Sequence, residues 1–292
     1  MKGIILAGGT GSRMYPMTTV VNKQLLPIHD KPLIYYPLTT LISSGIRDIC
    51  IIANPDEINL FNNLLGNGEN FGLKIIYRVQ NAPNGIPEAF LIAEDFIKND
   101  NVALILGDNI FVDSGEIQNM ISDFENGASV LGYQVNNPQN FGVIEFNALG
   151  ALDRIVEKPK ETSSRVIVPG LYVYDKDVIK AARQLCPSNR GELEITDLNM
   201  LYLAESKLHL TNLSRGSVWI DAGSPSSFSH ASSYIATIEK THGLKIGCPE
   251  EAALRRHFIN GEQLRAYSCL LPDCDYKNYL DSLYVINGEA TT

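Results

Sequence analysis

Short apolar runs alternate with stretches of helical periodicity through the first half of the chain. Runs at 3–7, 48–53, 74–79, 102–106 and 129–134 predict strands. Amphipathic stretches at 33–44, 57–65, 86–98 and 116–124 lie between them and predict helices. Pro32 falls where the first turn of a helix tolerates it. Strands separated by helices at this spacing predict an α/β fold with a Rossmann-like, mostly parallel central sheet flanked by helices. After residue 140 the texture changes. Runs at 141–146, 151–156 and 166–174, separated by turns, predict a mixed or antiparallel extension. Helices are expected at 176–184, 194–205 and 225–239, with a strand at 208–213. From Pro249 onward the chain reads as short helical pieces without a chemical motif. We expect an α/β core over 1–240 and a small helical C-terminal appendage over 241–292, serving packing or assembly.

The first strand runs into Gly8-Gly9-Thr10-Gly11-Ser12-Arg13-Met14. Glycines let backbone N–H groups crowd an anion. Arg13 adds a rigid fork of donors suited to phosphate oxygens, and Lys23 is a second cation within reach. The P-loop is excluded because no Gly-Lys-Ser/Thr occurs. The dinucleotide fingerprint fails because Met14 stands at its third glycine. A glycine-rich turn without a ligand is the bland alternative. In open α/β sheets ligands gather at the carboxyl ends of strands. The loop follows the first strand and Gly107-Asp108-Asn109 follows the run at 102–106, so both are expected on one rim.

Composition narrows the class. At 292 residues with 45% hydrophobic content, the chain can bury a sizeable core. A formal net charge of −9 argues against nucleic acid as a partner, so any phosphate site must be local. No stretch of 18 apolar residues suggests a membrane span. Lys2 begins a strand directly, so no targeting segment is expected. Cys50, Cys186, Cys248, Cys269 and Cys274 are scattered without a C-x-x-C, as expected of thiols in a reducing cytoplasm. Neither they nor the five histidines have zinc-ligand spacing.

Phosphoryl chemistry needs charge neutralisation, commonly by Mg²⁺ held on carboxylates. Asp108, just past an apolar strand, is the first candidate. Asp221 in Trp219-Ile-Asp-Ala-Gly223 is the second. Each is alternatively a turn or cap aspartate, and spacing cannot show that residues so far apart converge. Glu157-Lys158-Pro159 ends a strand in an acid and a base, suited to hydroxyls and an anion or to plain solvation. Gly142 marks a turn where a ligand can approach backbone, or a simple bend. Tyr133, Tyr172 and Tyr174 are expected in the core.

Taken in order, G-G-T-G-S-R-M-Y-P, N-K-Q-L-L-P, G-D-N, F-G-V-I-E-F, V-E-K-P, R-G-E-L-E-I-T-D and W-I-D-A-G resemble the bacterial sugar-1-phosphate nucleotidylyltransferases, and the likeness spans the whole chain. It is strongest to members that join dTTP and α-D-glucose 1-phosphate, the entry to dTDP-deoxysugars such as dTDP-rhamnose. The resemblance implies roles. Gly8, Gly9 and Gly11 wrap the triphosphate with Arg13 and Lys23, and Gln24 also belongs to the nucleotide site. Gln80 and Gly85 read the base. Asn109, Gly142, Glu157 and Val168 hold the sugar, with Lys158 and Arg190 on its phosphate. Asp108 and Asp221 bind Mg²⁺, and Arg13, Lys23 and Asp108 form the catalytic set. It also implies a nucleotide-binding part over 1–135, a sugar-binding part over 136–240, a cytoplasmic homo-oligomer, typically a tetramer, and no membrane partner.

Some positions depart from relatives: Met14 for leucine, Pro87 and Glu88 beside the base segment, and Pro169 for threonine. The 113–116 segment lacks a glycine-histidine element that in relatives belongs to a second, regulatory nucleotide site. Two other readings stay open at this point. One is a nucleotide-sugar-binding subunit without catalysis, which Arg13, Lys23, Asp108 and Asp221 argue against. The other is a relative using UTP or CTP.

Overall fold

The computed structural model describes residues 1–112 and 115–288. Asp113 and Ser114, in the segment that departs from relatives, and 289–292 of the expected appendage lie outside the described residues. Strand β1 (Lys2–Ala7) precedes a short hairpin, β2 (Pro27–Ile28) and β3 (Lys31–Pro32). Then come α1 (Tyr35–Ser43), β4 (Asp48–Ala53), α2 (Ile58–Leu65), β5 (Lys74–Val79), α3 (Glu88–Ile92), α4 (Glu94–Ile97) and β6 (Val102–Leu106). Next are β7 (Asn109–Val112), α5 (Gly115–Ser122), β8 (Ala128–Gln134), β9 (Gly142–Phe146), β10 (Leu152–Glu157), β11 (Val166–Val168) and β12 (Leu171–Tyr174). The chain continues with α6 (Val178–Ala182), α7 (Ile195–Ala204), β13 (Leu208–Asn212) and β14 (Val218–Asp221). It ends with α8 (Pro225–His242), α9 (Pro249–Arg255), α10 (Gly261–Ser268) and α11 (Asp275–Gly288).

Ten strands form one sheet in the order β10-β9-β11-β8-β12-β6-β1-β4-β5, with β13 paired to β8. Pairing is parallel from β6 through β1 and β4 to β5, and between β13 and β8. Only β10, β11 and β12 run against the rest of this sheet. The expected mostly parallel sheet with an antiparallel extension is thus present.

Alternation along β1 explains the layering. Ile5 joins Leu38, Leu41 and Ile42 of α1 on one face, while Ile4 joins Phe90 and Ile97 of α3 and α4 on the other. Successive side chains of a strand point to opposite faces, and parallel sheets are covered on both. Each such isoleucine or leucine contributes roughly 1.5–3 kcal/mol on burial. Ala252, Ala253 and Leu264 of α9 and α10 share the core cluster that contains α1. The C-terminal helices therefore complete the first face.

Three details differ from the sequence reading. Pro32 lies in β3, opposite Pro27, and α1 starts at Tyr35. The proline in the first helical turn is Pro37, where a missing N–H costs nothing because that turn lacks an acceptor for it. The stretch 86–98 is two short helices that share Ala93 as their boundary, with φ −96 and ψ 14. Strands β7 and β14 are too short to stand out as apolar runs, yet their pairing builds the site.

Candidate active site

The carboxyl ends of β1 and β6 are neighbours, and Gly107 N donates to Leu6 O at 2.9 Å. This puts the glycine-rich loop and Asp108 on one rim. Lys23 reaches that rim from a short 3₁₀ turn, Lys23–Leu25, held by the buried Asn22. Asn22 Oδ1 accepts from Gln24 N at 2.8 Å. Its Nδ2 donates to Ala7 O at 3.0 Å and to Glu57 Oε2 at 2.6 Å. The Lys23 ammonium then pairs with Asp108 Oδ2. Gln24 packs against Gly107, and its buried Oε1 accepts no hydrogen bond among the described residues. Gln80, also buried, lies against Gly8, where a Cβ would stand 2.3 Å from its Oε1. Its Nε2 donates to Glu88 Oε2 at 2.8 Å. Gly9 stands open and Gly11 packs on Thr18.

Antiparallel pairing of β7 with β14 sets Asp221 opposite Asn109, and Ala222 N donates to Asp108 O at 2.9 Å. Two aspartates far apart in sequence thereby share one spot. Their carboxyls shift in opposite directions. Burial pushes Asp108 up, but the Lys23 charge and hydrogen bond, with Asn109, hold it below the ordinary range. Burial and the Asp108 charge push Asp221 up to about 6, against the opposing pull of Lys23 and Arg13. A Cβ on Gly223 would meet Arg13 Nη2 and both Asp221 oxygens at 2.9 Å. Glycine there lets the guanidinium and the carboxylate share the space.

A cavity of about 400 Å³ opens from this point toward the antiparallel half. Arg13, Asp108, Asn109 and Asp221 line it together with Gly142, Glu157, Lys158, Val168 and Arg190. A hydrogen bond links Asp108 to Asn109 in one group, and an ion pair links Arg190 to Glu157 in another. Arg190 is braced by Glu194, with Nη2 to Oε2 at 2.6 Å and Nε to Oε1 at 3.1 Å. It also lies 3.4 Å from Glu157 Oε1. Burial pushes Glu194 up, yet the bonds from Arg190 and Ser188 hold its carboxyl below the ordinary range. Glu157 Oε2 accepts from Thr196 Oγ1 at 2.6 Å. Lys158 sits at φ 43, turning out of β10 just beyond Glu157, and its Nζ is 3.5 Å from Glu157 Oε1.

The predicted residues thus fall into two groups. One lines the cavity. The other (Gly8, Gly9, Gly11, Lys23, Gln24, Gln80 and Gly85) lies outside the lining, on or near the rim of the parallel half. Gly85 makes a further link between the halves: at φ +110 it bridges Leu193, whose carbonyl O would be 2.1 Å from an added Cβ. Asn22, Glu194, Thr196, Trp219 and Gly223 also belong to the site, beyond the residues expected from sequence. Thr196 and Glu194 stand in R-G-E-L-E-I-T-D, and Trp219 and Gly223 in W-I-D-A-G, so the motifs themselves were the available signal. Tyr172 is buried as expected, yet it also lines the cavity.

His29, Asp30 and Glu239 also cluster closely. Lys31 and Lys245 occupy that cluster as ion-pair partners, with Lys31 Nζ 2.8 Å from Glu239 Oε1, so it ties the β2–β3 hairpin to α8. Among the described residues no helix is long and apolar enough to cross a membrane.

A mixed α/β sheet with a glycine-rich cationic rim and paired carboxylates at its strand ends defines a nucleotidyltransferase class of site. The family model for nucleotidyl transferases matches residues 2–238, and the chain belongs to that family. It is 48% identical to a glucose-1-phosphate thymidylyltransferase of Mycolicibacterium smegmatis over 96% of this chain and 98% of that one. It is 46% identical to one of Neisseria meningitidis, with the same shares covered. A solved Bacillus anthracis structure, named for the same activity, superposes with TM-score 0.75 at 43% identity, covering 80% of this chain and 94% of that one. A UDP-glucose pyrophosphorylase with bound UDP-glucose shares the fold, with TM-score 0.72 at 24% identity over 82% of this chain and 98% of that one.

Proposed function

We propose that the protein joins dTTP and α-D-glucose 1-phosphate into dTDP-glucose and releases pyrophosphate. The observation that carries this reading is one cavity lined by two charged groups: Arg13, Asp108 and Asp221 in one, Lys158, Arg190 and Glu157 in the other. In this reading the loop amides of Gly8, Gly9 and Gly11, with Arg13 and Lys23, hold the triphosphate. Gln80 and Gly85 meet the base, and Gln24, whose buried Oε1 has no partner among the described residues, also serves the nucleotide. Lys158 and Arg190 take the sugar phosphate. Asn109, Gly142, Glu157 and Val168 take the sugar hydroxyls.

Asp108 and Asp221 fit a hard dication. They are oxygen donors at adjacent strand ends, and the charge of Asp108 helps raise Asp221, a repulsion that a dication relieves. We assign them Mg²⁺, which when bound neutralises charge on the triphosphate. A sugar-phosphate oxygen then attacks the α-phosphorus of dTTP. The bond from that phosphorus to the β-phosphate oxygen breaks, and pyrophosphate leaves with the electron pair. The nucleophile is already anionic, so no general base is needed. Arg13 and Lys23 lie where charge builds, so rate comes from positioning and charge stabilisation.

We further read 1–135 as the nucleotide-binding part, 136–240 as the sugar-binding part and 241–292 as the segment for assembly into a tetramer. Five free cysteines support work in the cytoplasm. Pyrophosphate release across a panel of nucleoside triphosphates and sugar 1-phosphates tests the reading. Fastest turnover is expected with dTTP and glucose 1-phosphate. Binding of dTTP without turnover would favour a silent binding subunit, and preference for UTP or CTP would overturn the nucleotide choice.

A further inference from the structure

Asn109 is 2% exposed, and its amide orientation is fixed from both sides. Its Oδ1 accepts from Trp219 Nε1 at 2.6 Å and from Gly170 N at 3.0 Å. Its Nδ2 donates to Asp108 Oδ1 at 2.9 Å. Flipping the amide would turn Nδ2 against two donors and Oδ1 against a carboxylate oxygen. The indole N–H, which makes the shorter of the two bonds to Oδ1, therefore holds, together with the Gly170 N–H, the face of Asn109 that meets Asp108. Asp108 has one oxygen held by Asn109 and the other by Lys23. Trp219 is itself set edge-on against Phe141 and Tyr133, with ring centroids 5.3 and 5.7 Å away. The same indole forms part of the cavity wall.

We propose that Trp219 is a positioning residue for metal binding, acting through Asn109 on the Asp108 carboxylate. Its N–H, with that of Gly170, holds the amide and the amide orients the carboxylate, so a wall of the substrate cavity is wired to the metal pair. The inference rests on the reading of Asp108 and Asp221 as metal ligands. Groups that orient a ligand from behind commonly contribute 10- to 100-fold in metal affinity.

The test is Mn²⁺ binding to the full chain, followed by electron paramagnetic resonance, for wild type, Asp221→Asn, Trp219→Phe, Asn109→Leu and the Trp219→Phe/Asn109→Leu double variant. Phenylalanine keeps the aromatic wall and loses the N–H. Each single change at 219 or 109 is expected to weaken Mn²⁺ about tenfold. The double variant is expected to be no weaker than the worse single one, because both act on one path. The KM for glucose 1-phosphate should move less than about threefold in Trp219→Phe, since the ring still packs there. Should that variant unfold, Asn109→Leu carries the same test with the indole in place. Trp219 is the chain's single tryptophan, so quenching of its emission by Mn²⁺ gives a second readout for wild type, Asp221→Asn and Asn109→Leu. Wild-type affinity in a folded Trp219→Phe, whatever Asn109→Leu shows, or in Asn109→Leu where Trp219→Phe does not fold, with loss in Asp221→Asn, would overturn the inference and leave the metal reading standing. Wild-type affinity in Asp221→Asn would overturn the metal reading itself.

Discussion

Around the parallel half of the site, charge is delivered by loops that follow parallel strands; in the antiparallel half, which we propose takes the sugar phosphate, it is assembled from separate elements. Arg13, Lys23 and Asp108 sit just past β1 and β6 or on the turn that Asn22 pins to Ala7. Glu157, Arg190, Glu194 and Thr196 come from β10, a loop and the start of α7, and they bond to one another. The first arrangement suits the polyanion proposed for it. The second balances cations with carboxylates, which suits a ligand that is part phosphate and part hydroxyl. Binding energy spent at either end serves the same transfer only if the halves keep their spacing, and Gly85 against Leu193 adds a contact between them beyond the β6–β12 pairing.

The largest effect is expected at the nucleotide end. Arg13→Ala should lower kcat about a hundredfold to a thousandfold in steady-state pyrophosphate release, the scale set by losing one charge-stabilising group. A loss confined to KM would make Arg13 a binding group only. Next comes the join. Gly85→Ala forces a side chain into φ +110 and against the Leu193 carbonyl, and should cost about 2–3 kcal/mol in urea unfolding. An unchanged midpoint would mean the halves are not braced there.

Arg190→Ala should raise the KM for glucose 1-phosphate about tenfold or more, because it removes a charged hydrogen bond and leaves Glu194 uncompensated. The KM for dTTP should hold within a factor of about two, as it would if Arg190 served the sugar phosphate alone. Equal movement of both constants would break the division into two ends.

The last effect concerns Asp221 and is read in metal-free stability rather than in turnover. Because the Asp221 carboxyl is raised to about 6, the native chain holds that proton more tightly than the unfolded one. The stabilisation is complete below a pH of about 4 and is lost as pH rises through about 6. Metal-free Asp221→Asn should therefore be more stable than wild type near neutral pH, by on the order of 1–3 kcal/mol, and equal to it in acid. Thermal melts across that range check this. Saturating Mg²⁺ should reverse the order by stabilising only the wild type.

The fold was legible where patterning was local. The strand that became β1, the loop at 8–13 and the step from β6 into Asp108 all read directly from apolar runs ending in glycine. Pro32 misled because a hairpin too short for a period intervenes before α1. The convergence of Asp108 and Asp221 was beyond spacing, since it depends on the pairing of β7 with β14, two four-residue strands. The same pairing, with Gly170, encloses Asn109, and no pattern along the chain announces that its amide is shared with Trp219. Resemblance named the motifs containing Thr196, Glu194 and Trp219. Only packing shows what each of them holds in place.

The central claim is transfer of a nucleotidyl group to a sugar phosphate. It is tested most directly by following dTTP labelled on the α-phosphorus through one round of reaction with glucose 1-phosphate and Mg²⁺. The label is expected wholly in the sugar nucleotide, with unlabelled pyrophosphate released in equal amount. Label appearing in free phosphate or on the protein, or no sugar nucleotide at all, would contradict the account.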